Sequence, residues 1–204
     1  DYMRSRNLGV QFSRHPIVAL LDDDVELERD YFEHLIGSLE TLASQGVICV
    51  TARVLLDGAS PRPKPLREAM ERFFLRRGRF IGQLLPNGFA TEAHRADRIG
   101  AAPFEVDFCL SGACAFFRDT MLAHPFAEGY SLLAHGTDKI MSLEIIRRGR
   151  IAFVPAARMT HFLAPAARPA PAVNAKRSVL SYYWTYRQIK RRPRADWTFA
   201  LFAW

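Results

Sequence analysis

Ile17-Val18-Ala19-Leu20-Leu21-Asp22-Asp23-Asp24-Val25 is the stretch on which the fold turns. Its apolar run is too short for a helix, Pro16 precedes it and three aspartates stop it, which is the pattern of a buried parallel strand. The aspartates then sit at the strand's C-terminal end, the edge of an open α/β sheet where ligands bind. Neighbouring carboxylates repel one another, and burying them together is costly unless a cation neutralises them. On an extended segment Asp22 and Asp24 point to the same side. A hard divalent ion, Mn²⁺ or Mg²⁺, that also takes diphosphate oxygens is their natural partner. An acidic helix N-terminus shows the same letters, so the motif alone leaves both readings open.

Outward from this stretch, Tyr31, Phe32, Leu35, Ile36, Leu39 and Leu42 recur at helical spacing within residues 28–44, and Gly46 supplies a stop. Val47 to Leu56 returns as a β-branched strand, and strand, helix, strand in that order implies a βαβ unit. Residues 57–105 read as an insertion, with prolines from Pro61 to Pro65 and an amphipathic helix from Leu66 to Arg77. Val106 to Arg118 reads as a strand interrupted by Ser111-Gly112, Asp138 to Arg148 as a helix closed by Gly149, and Ile151 to Val154 as a short strand. Ala164 to Pro171 reads as an Ala/Pro linker and Asn174 to Arg191 as a basic helix. These divisions separate a domain over 1–163 from a basic, aromatic C-terminal segment over 164–204.

The bulk composition, 204 residues with 49% apolar and 24% charged, allows one medium domain with a sizeable core. Cys49, Cys109 and Cys114 are an odd set without a Cys-x-x-Cys pair, which indicates neither a disulfide framework nor a zinc knuckle and suits a reducing, cytoplasmic compartment. Of the net charge of +7, much sits in Lys176, Arg177, Arg187, Lys190, Arg191, Arg192 and Arg194. Such a cluster meets anionic lipid, a phosphorylated ligand or nucleic acid, or is merely a solvated helix face. No recognition helix or aromatic RNA platform accompanies it, so nucleic acid is the weakest of these readings. The apolar, aromatic end Trp197 to Trp204 follows the basic run, as in a peripheral anchor at the cytoplasmic membrane face or the start of a hydrophobic helix.

Arg6-Asn7-Leu8-Gly9, the apolar strand and Asp22-Asp23-Asp24 together resemble family 2 inverting glycosyltransferases of the GT-A fold, whose pattern runs Ala-Arg-Asn-x-Gly, strand, Asp-x-Asp. Further blocks follow in the family's order. Leu110-Ser111-Gly112-Ala113 with Phe117-Arg118 resembles the acceptor-side strand and its trailing basic residue, and Phe126-Ala127-Glu128-Gly129 resembles the Phe-Asp-Glu segment. Gly136-Thr137-Asp138 resembles the Gly-Glu-Asp block, and Val154-Pro155-Ala156 leading to His161 resembles the closing strand and histidine.

The resemblance implies an α/β, GT-A-like (Rossmann-like) mixed sheet flanked by helices, and transfer of a sugar from a nucleotide-sugar donor to a glycan or lipid-linked acceptor. It implies donor binding by Arg6, Asn7, Asp22 and Asp23, metal binding by Asp22, Asp24 and His161, an acceptor side built from Ser111, Gly112 and Arg118, and Asp138 as general base. Thr137 departs from the family's usual Glu, and Glu144 stands where a basic residue is common. The resemblance also puts the fold's first strand and helix, which build the nucleotide pocket, ahead of Asp1, so activity is expected of a larger parent. Two rival readings stand beside it. Leu20 to Val25 also resembles the Asp-x-Asp-x-Val signature of haloacid-dehalogenase-like phosphatases, with Asp22 as nucleophile and Asp24 as acid/base. A transferase-like domain could also serve as a non-catalytic scaffold.

Overall fold

A computed structural model describes residues 2–56, 81–91, 100–129, 136–162, 171–189 and 200. In chain order these hold α1 (Tyr2–Phe12), β1 (Ile17–Leu21), β2 (Val25–Leu27), α2 (Tyr31–Leu42), β3 (Val47–Leu56), β4 (Phe104–Val106), β5 (Ala113–Phe117), α3 (Arg118–Ala123), α4 (Thr137–Ile146), β6 (Arg150–His161) and α5 (Pro171–Gln188). The strands form one mixed sheet in the order β1-β5-β3-β6-β2, with β4 also on β6. Among the described residues only β3 and β6 pair in parallel. The predicted helix 66–77 and most of the predicted linker lie outside the described residues.

Strand alternation sorts the core onto two faces. On one, Val50, Ala52, Ala113, Ala115, Ala152 and Ala157 present small side chains, and α2 lays Tyr31, Leu35 and Leu39 against them. The spacing of those three residues is that of one helical stripe, and Leu35 and Leu39 are fully buried. Truncating one such leucine to alanine costs roughly 2–5 kcal/mol. Gly46 ends the segment in the left-handed conformation, φ 82°, its N–H donating to Ala43 O, as the stop signal requires. On the opposite face, Phe116, Ile151 and Phe153 carry bulk toward Met3 and Val10 of α1 and Met141 and Ile145 of α4.

The structure changes several expectations. β1 is not a buried parallel strand: it lies half-buried at the end of the strand order and pairs with antiparallel β5, Ile17 opposite Phe117 and Leu21 opposite Ala113. Because β5 is antiparallel to both β1 and β3, the βαβ relation survives with β5 interposed. The expected interrupted strand over 106–118 is instead the end of β4 at Val106, a non-strand stretch over 107–112 and β5 from Ala113 to Phe117, and β4 and β5 pair with different partners. β6 continues past Val154 to His161, accommodating Pro155 in a register shift where Ala52 faces Val154 but Arg53 faces Arg158; proline lacks a ladder donor and is confined to such irregularities. The basic helix begins earlier than expected, with Pro171 in its first turn, where a missing N–H costs nothing.

Candidate active site

The β1–β5 pairing delivers Asp22 to the loop before β5, where the Asp22 N–H donates to Gly112 O at 3.3 Å. Gly112 is required by space: a Cβ there would fall on the Asp22 carboxyl group. Arg6, on α1 and only 9% exposed, approaches from the other side. Its Nη1 donates to Ser111 O and its Nη2 lies 3.8 Å from Asp22 Oδ1. One buried guanidinium thus holds both the acid and the loop that packs on it.

Asp138 enters from the first turn of α4, following Gly136 in the left-handed conformation at φ 90°. Its Oδ1 accepts from the Ser111 N–H at 3.0 Å. One turn on, Ser142 is fully buried; its hydroxyl donates to Asp138 O at 2.6 Å and accepts from Cys109 N–H at 3.0 Å. The serine therefore ties the start of α4 to the strand-end loop, a role visible in the sequence only as a polar residue four positions beyond Asp138 on a helix.

β2 and β6 supply the third side. Asp24 O accepts from Phe162 N–H at 2.9 Å, and Asp24 Oδ1 lies 2.9 Å from His161 Nε2 at the end of β6. One ligand atom each from Asp22, Asp24 and His161 lies within 4.8 Å of the others. Trans ligands of a six-coordinate ion with ~2.1 Å bonds stand ~4.2 Å apart, so this set fits a divalent cation with small side-chain adjustments. The two carboxylates suit Mn²⁺ or Mg²⁺, and the imidazole nitrogen suits the softer Mn²⁺ better than Mg²⁺.

Between these elements lies a cleft of about 180 Å³ whose lining includes Asp22, Ser111, Gly112, Asp138 and His161, over a floor of Val54, Leu110 and Met159. Burial raises the Asp22 carboxyl above its ordinary range; Arg6 opposes the shift, Asp138 adds to it, His161 opposes and Asp24 adds. A bound dication reverses the balance of such a site toward the charged form.

Asp22, Asp24, Asp138, His161, Ser111, Gly112 and Arg6 thus converge. Asp23 is exposed between the two inward acids and is not in the metal-competent group. Asn7 turns elsewhere, and its amide is committed to another loop. Its Nδ2 donates to Phe126 O at 2.9 Å and Glu128 Oε1 at 3.1 Å, and its Oδ1 accepts from Phe126 N–H at 2.9 Å. Arg118 stands at the far end of β5 from Ala113, bonded to Ser13 Oγ and Gln11 O, and the structure does not bring it to the cleft.

The mixed sheet flanked by helices, with acids gathered at strand ends, matches the GT-A glycosyltransferase fold. The family model described as "Glycosyl transferase family 2" matches residues 1–122, and the chain belongs to that family. Among solved structures, the chain resembles the "Crystal structure of GalNAc-T7 with UDP, GalNAc and Mn2+", with a TM-score of 0.53 and 13% sequence identity over 97% of this chain and 36% of that one. The chain therefore spans about a third of the length of that protein. No curated protein matches it. Glycosyl transfer is the general chemistry of the family, which displaces the phosphatase reading. The family match includes Asp22 and Asp24, whereas Asp138 and His161 lie beyond it and rest on the geometry.

Proposed function

We propose that the protein containing this domain is a metal-dependent, inverting glycosyltransferase that uses a nucleotide-sugar donor and a glycan or lipid-linked acceptor, in cell-surface polysaccharide or glycan synthesis. The observation that carries this is the convergence of Asp138, Asp22 and His161 on one cleft, with Asp24 grouped with Asp22 and His161 as metal-competent ligands and Asp138 held by the Ser111 amide. Asp22, Asp24 and His161 would hold the cation, which when bound offsets charge on the departing nucleoside diphosphate. GalNAc-T7 carries UDP, GalNAc and Mn²⁺ on the same fold, which agrees with that donor class.

In this reading Asp138 takes the proton from the acceptor hydroxyl. The acceptor oxygen forms its bond to the anomeric carbon while the bond from that carbon to the diphosphate oxygen breaks, and a single displacement inverts the configuration. Ser111 N–H occupies one carboxylate oxygen of Asp138, which leaves the other to face the acceptor and fixes the rotamer. Arg6 helps to keep Asp22 charged and Gly112 keeps the space that its carboxylate fills.

The test is a panel of nucleotide sugars offered to the full-length protein with Mn²⁺, with Mg²⁺ and after chelation, read by thermal stabilisation, followed by NMR of the anomeric centre in the product. Metal-dependent stabilisation by one nucleotide sugar and an inverted product are expected. Stabilisation that survives chelation, or a retained configuration, overturns the proposal.

A further inference from the structure

Helix α5 has two faces of different character. Toward the domain it buries Ser181, Thr185 and Tyr186. Tyr182 stacks on Phe89 at 4.1 Å between ring centroids and has the Lys139 ammonium 3.5 Å from its ring centroid. Gly88 and Gly136 both pack so closely on this helix that a Cβ would strike Tyr182 O or Ser181 Oγ. α5 is therefore seated firmly, and its outer face has a defined orientation.

That outer face carries Val173, Leu180, Tyr183 and Trp184, exposed by 44%, 39%, 43% and 42%. At 3.6 residues per turn these fall with exposed Lys176 and Arg187 inside an arc of about 100°. The helix sequence, PAVNAKRSVLSYYWTYRQ, contains no acid. Large apolar side chains, two aromatics with polar handles and flanking cations on one rigid stripe match the demands of the headgroup layer. Leu and Val enter the acyl boundary, Tyr and Trp sit at the headgroups, and Lys and Arg meet anionic phosphates. A nucleic-acid surface has use for the cations and none for exposed Leu180 and Val173.

We propose that the outer face of α5 docks on an anionic lipid bilayer, the helix lying in the plane of the interface. The net charge of +7 favours the same partner, and the chain continues past the helix with Lys190-Arg191-Arg192 and Arg194. Because Ser181 on the inner face touches Gly136, docking sets α4 and Asp138 on the membrane side of the cleft. Glycosyl transfer is not needed for the docking, and the two readings fail separately.

The experiment uses the full chain with Trp197→Phe and Trp204→Phe, which leaves Trp184 as the reporter. Flotation is run with phosphatidylcholine vesicles, alone and mixed with phosphatidylglycerol. Salt-sensitive binding to the mixed vesicles alone, with a blue shift of Trp184 emission, is expected. Lys176→Gln with Arg187→Gln should weaken binding roughly thirtyfold, from ~1 kcal/mol per basic residue at an anionic surface. Circular dichroism checks that this variant is folded, and the Trp184 shift tests the proposal without it. Absence of binding, or binding with unmoved Trp184 emission, overturns the proposal. So does binding that survives the α5 substitutions but is lost on neutralising Lys190, Arg191, Arg192 and Arg194. Equal affinity for an oligonucleotide, again without an emission shift, would reassign the basic face to nucleic acid.

Discussion

The two ends of β5 carry residues drawn from one sequence block, and they do opposite things. Before Ala113, Ser111 and Gly112 sit between the carboxyl groups of Asp22 and Asp138, with Arg6 as the buried cation beside them. After Phe117, Arg118 is spent on tying the end of α1 in place, its side chain bonded to Ser13 and Gln11 and its N–H to Pro16 O. Charges at the first end face a cleft and remain under-compensated; the charge at the second is hydrogen-bonded to local carbonyl and hydroxyl oxygens. An excess of acid that the fold itself does not balance is the mark of a place built for an incoming cation or proton, and only one end of the strand has it.

The sharpest break of this comparison is Asp138→Asn. Asparagine keeps an oxygen for the Ser111 amide and the size of the side chain, yet it cannot take a proton. On the proposed mechanism, donor binding should survive and transfer should fall by roughly 10²- to 10⁴-fold, the usual contribution of a general base. Single-turnover transfer with the full-length enzyme measures this. A rate near wild type would make Asp138 a structural acceptor for Ser111 N–H and put the base elsewhere.

Gly112→Ala comes next. The new Cβ competes for the volume of the Asp22 carboxyl group, and overpacking costs ~1–3 kcal/mol where nothing yields. Asp22 is only partly buried and its carboxyl end can swing aside, so the expected result is a folded protein with metal-dependent nucleotide binding weakened by about tenfold or more, or ~1.4 kcal/mol. Calorimetric titration of Mn²⁺ with nucleoside diphosphate reads the loss. An unchanged affinity would remove Asp22 from the metal set and leave Asp24 and His161 as its core.

How far the sequence led can be argued from these same residues. The apolar run 17–21 and the stripe Tyr31, Leu35, Leu39 were readable because each pattern is local. The interposition of β5 between β1 and β3 was not, because the pairing of Leu21 with Ala113 is a long-range choice that no local spacing encodes. Asp22, Asp24, Asp138 and His161 were found together through resemblance, since a lone histidine or a helix-starting aspartate carries little information of its own. Asn7 and Arg6 show the limit most clearly. They are adjacent on α1, yet a 100° step between neighbours sends one to the cleft and the other to Phe126.

Asn7→Ala separates those two neighbours experimentally. It leaves the Phe126 N–H and C=O without the amide that satisfies both, in a buried setting, and unsatisfied groups of that kind cost ~1–3 kcal/mol. Urea denaturation should show that loss, while metal and nucleotide affinity per folded molecule stays unchanged. Weakened nucleotide binding at full stability would restore the donor-binding role implied by the resemblance and break the division between Arg6 and Asn7.

Arg118→Gln should have the smallest effect. Arg118 is partly exposed, and its ion pair with Asp119 spans 3.8 Å to a carboxylate that is 95% exposed, a kind of pair worth little. The bonds to Gln11 O and Ser13 Oγ matter more, because they meet the C-terminal end of α1, where unpaired carbonyls and the helix dipole favour a cation. Glutamine can still donate to one of these groups without the charge, so a loss of about 0.3–1 kcal/mol is expected, read as a small shift in the urea midpoint. Metal affinity, nucleotide affinity and the transfer rate should not move, since Ala113 and the length of β5 separate Arg118 from Gly112. A fall in transfer with donor binding intact would instead place the acceptor along β5 as far as Arg118. The two ends of the strand would then belong to a single extended site, and the hydrogen bonds of Arg118 to Ser13 and Gln11 would be a resting arrangement that the acceptor displaces.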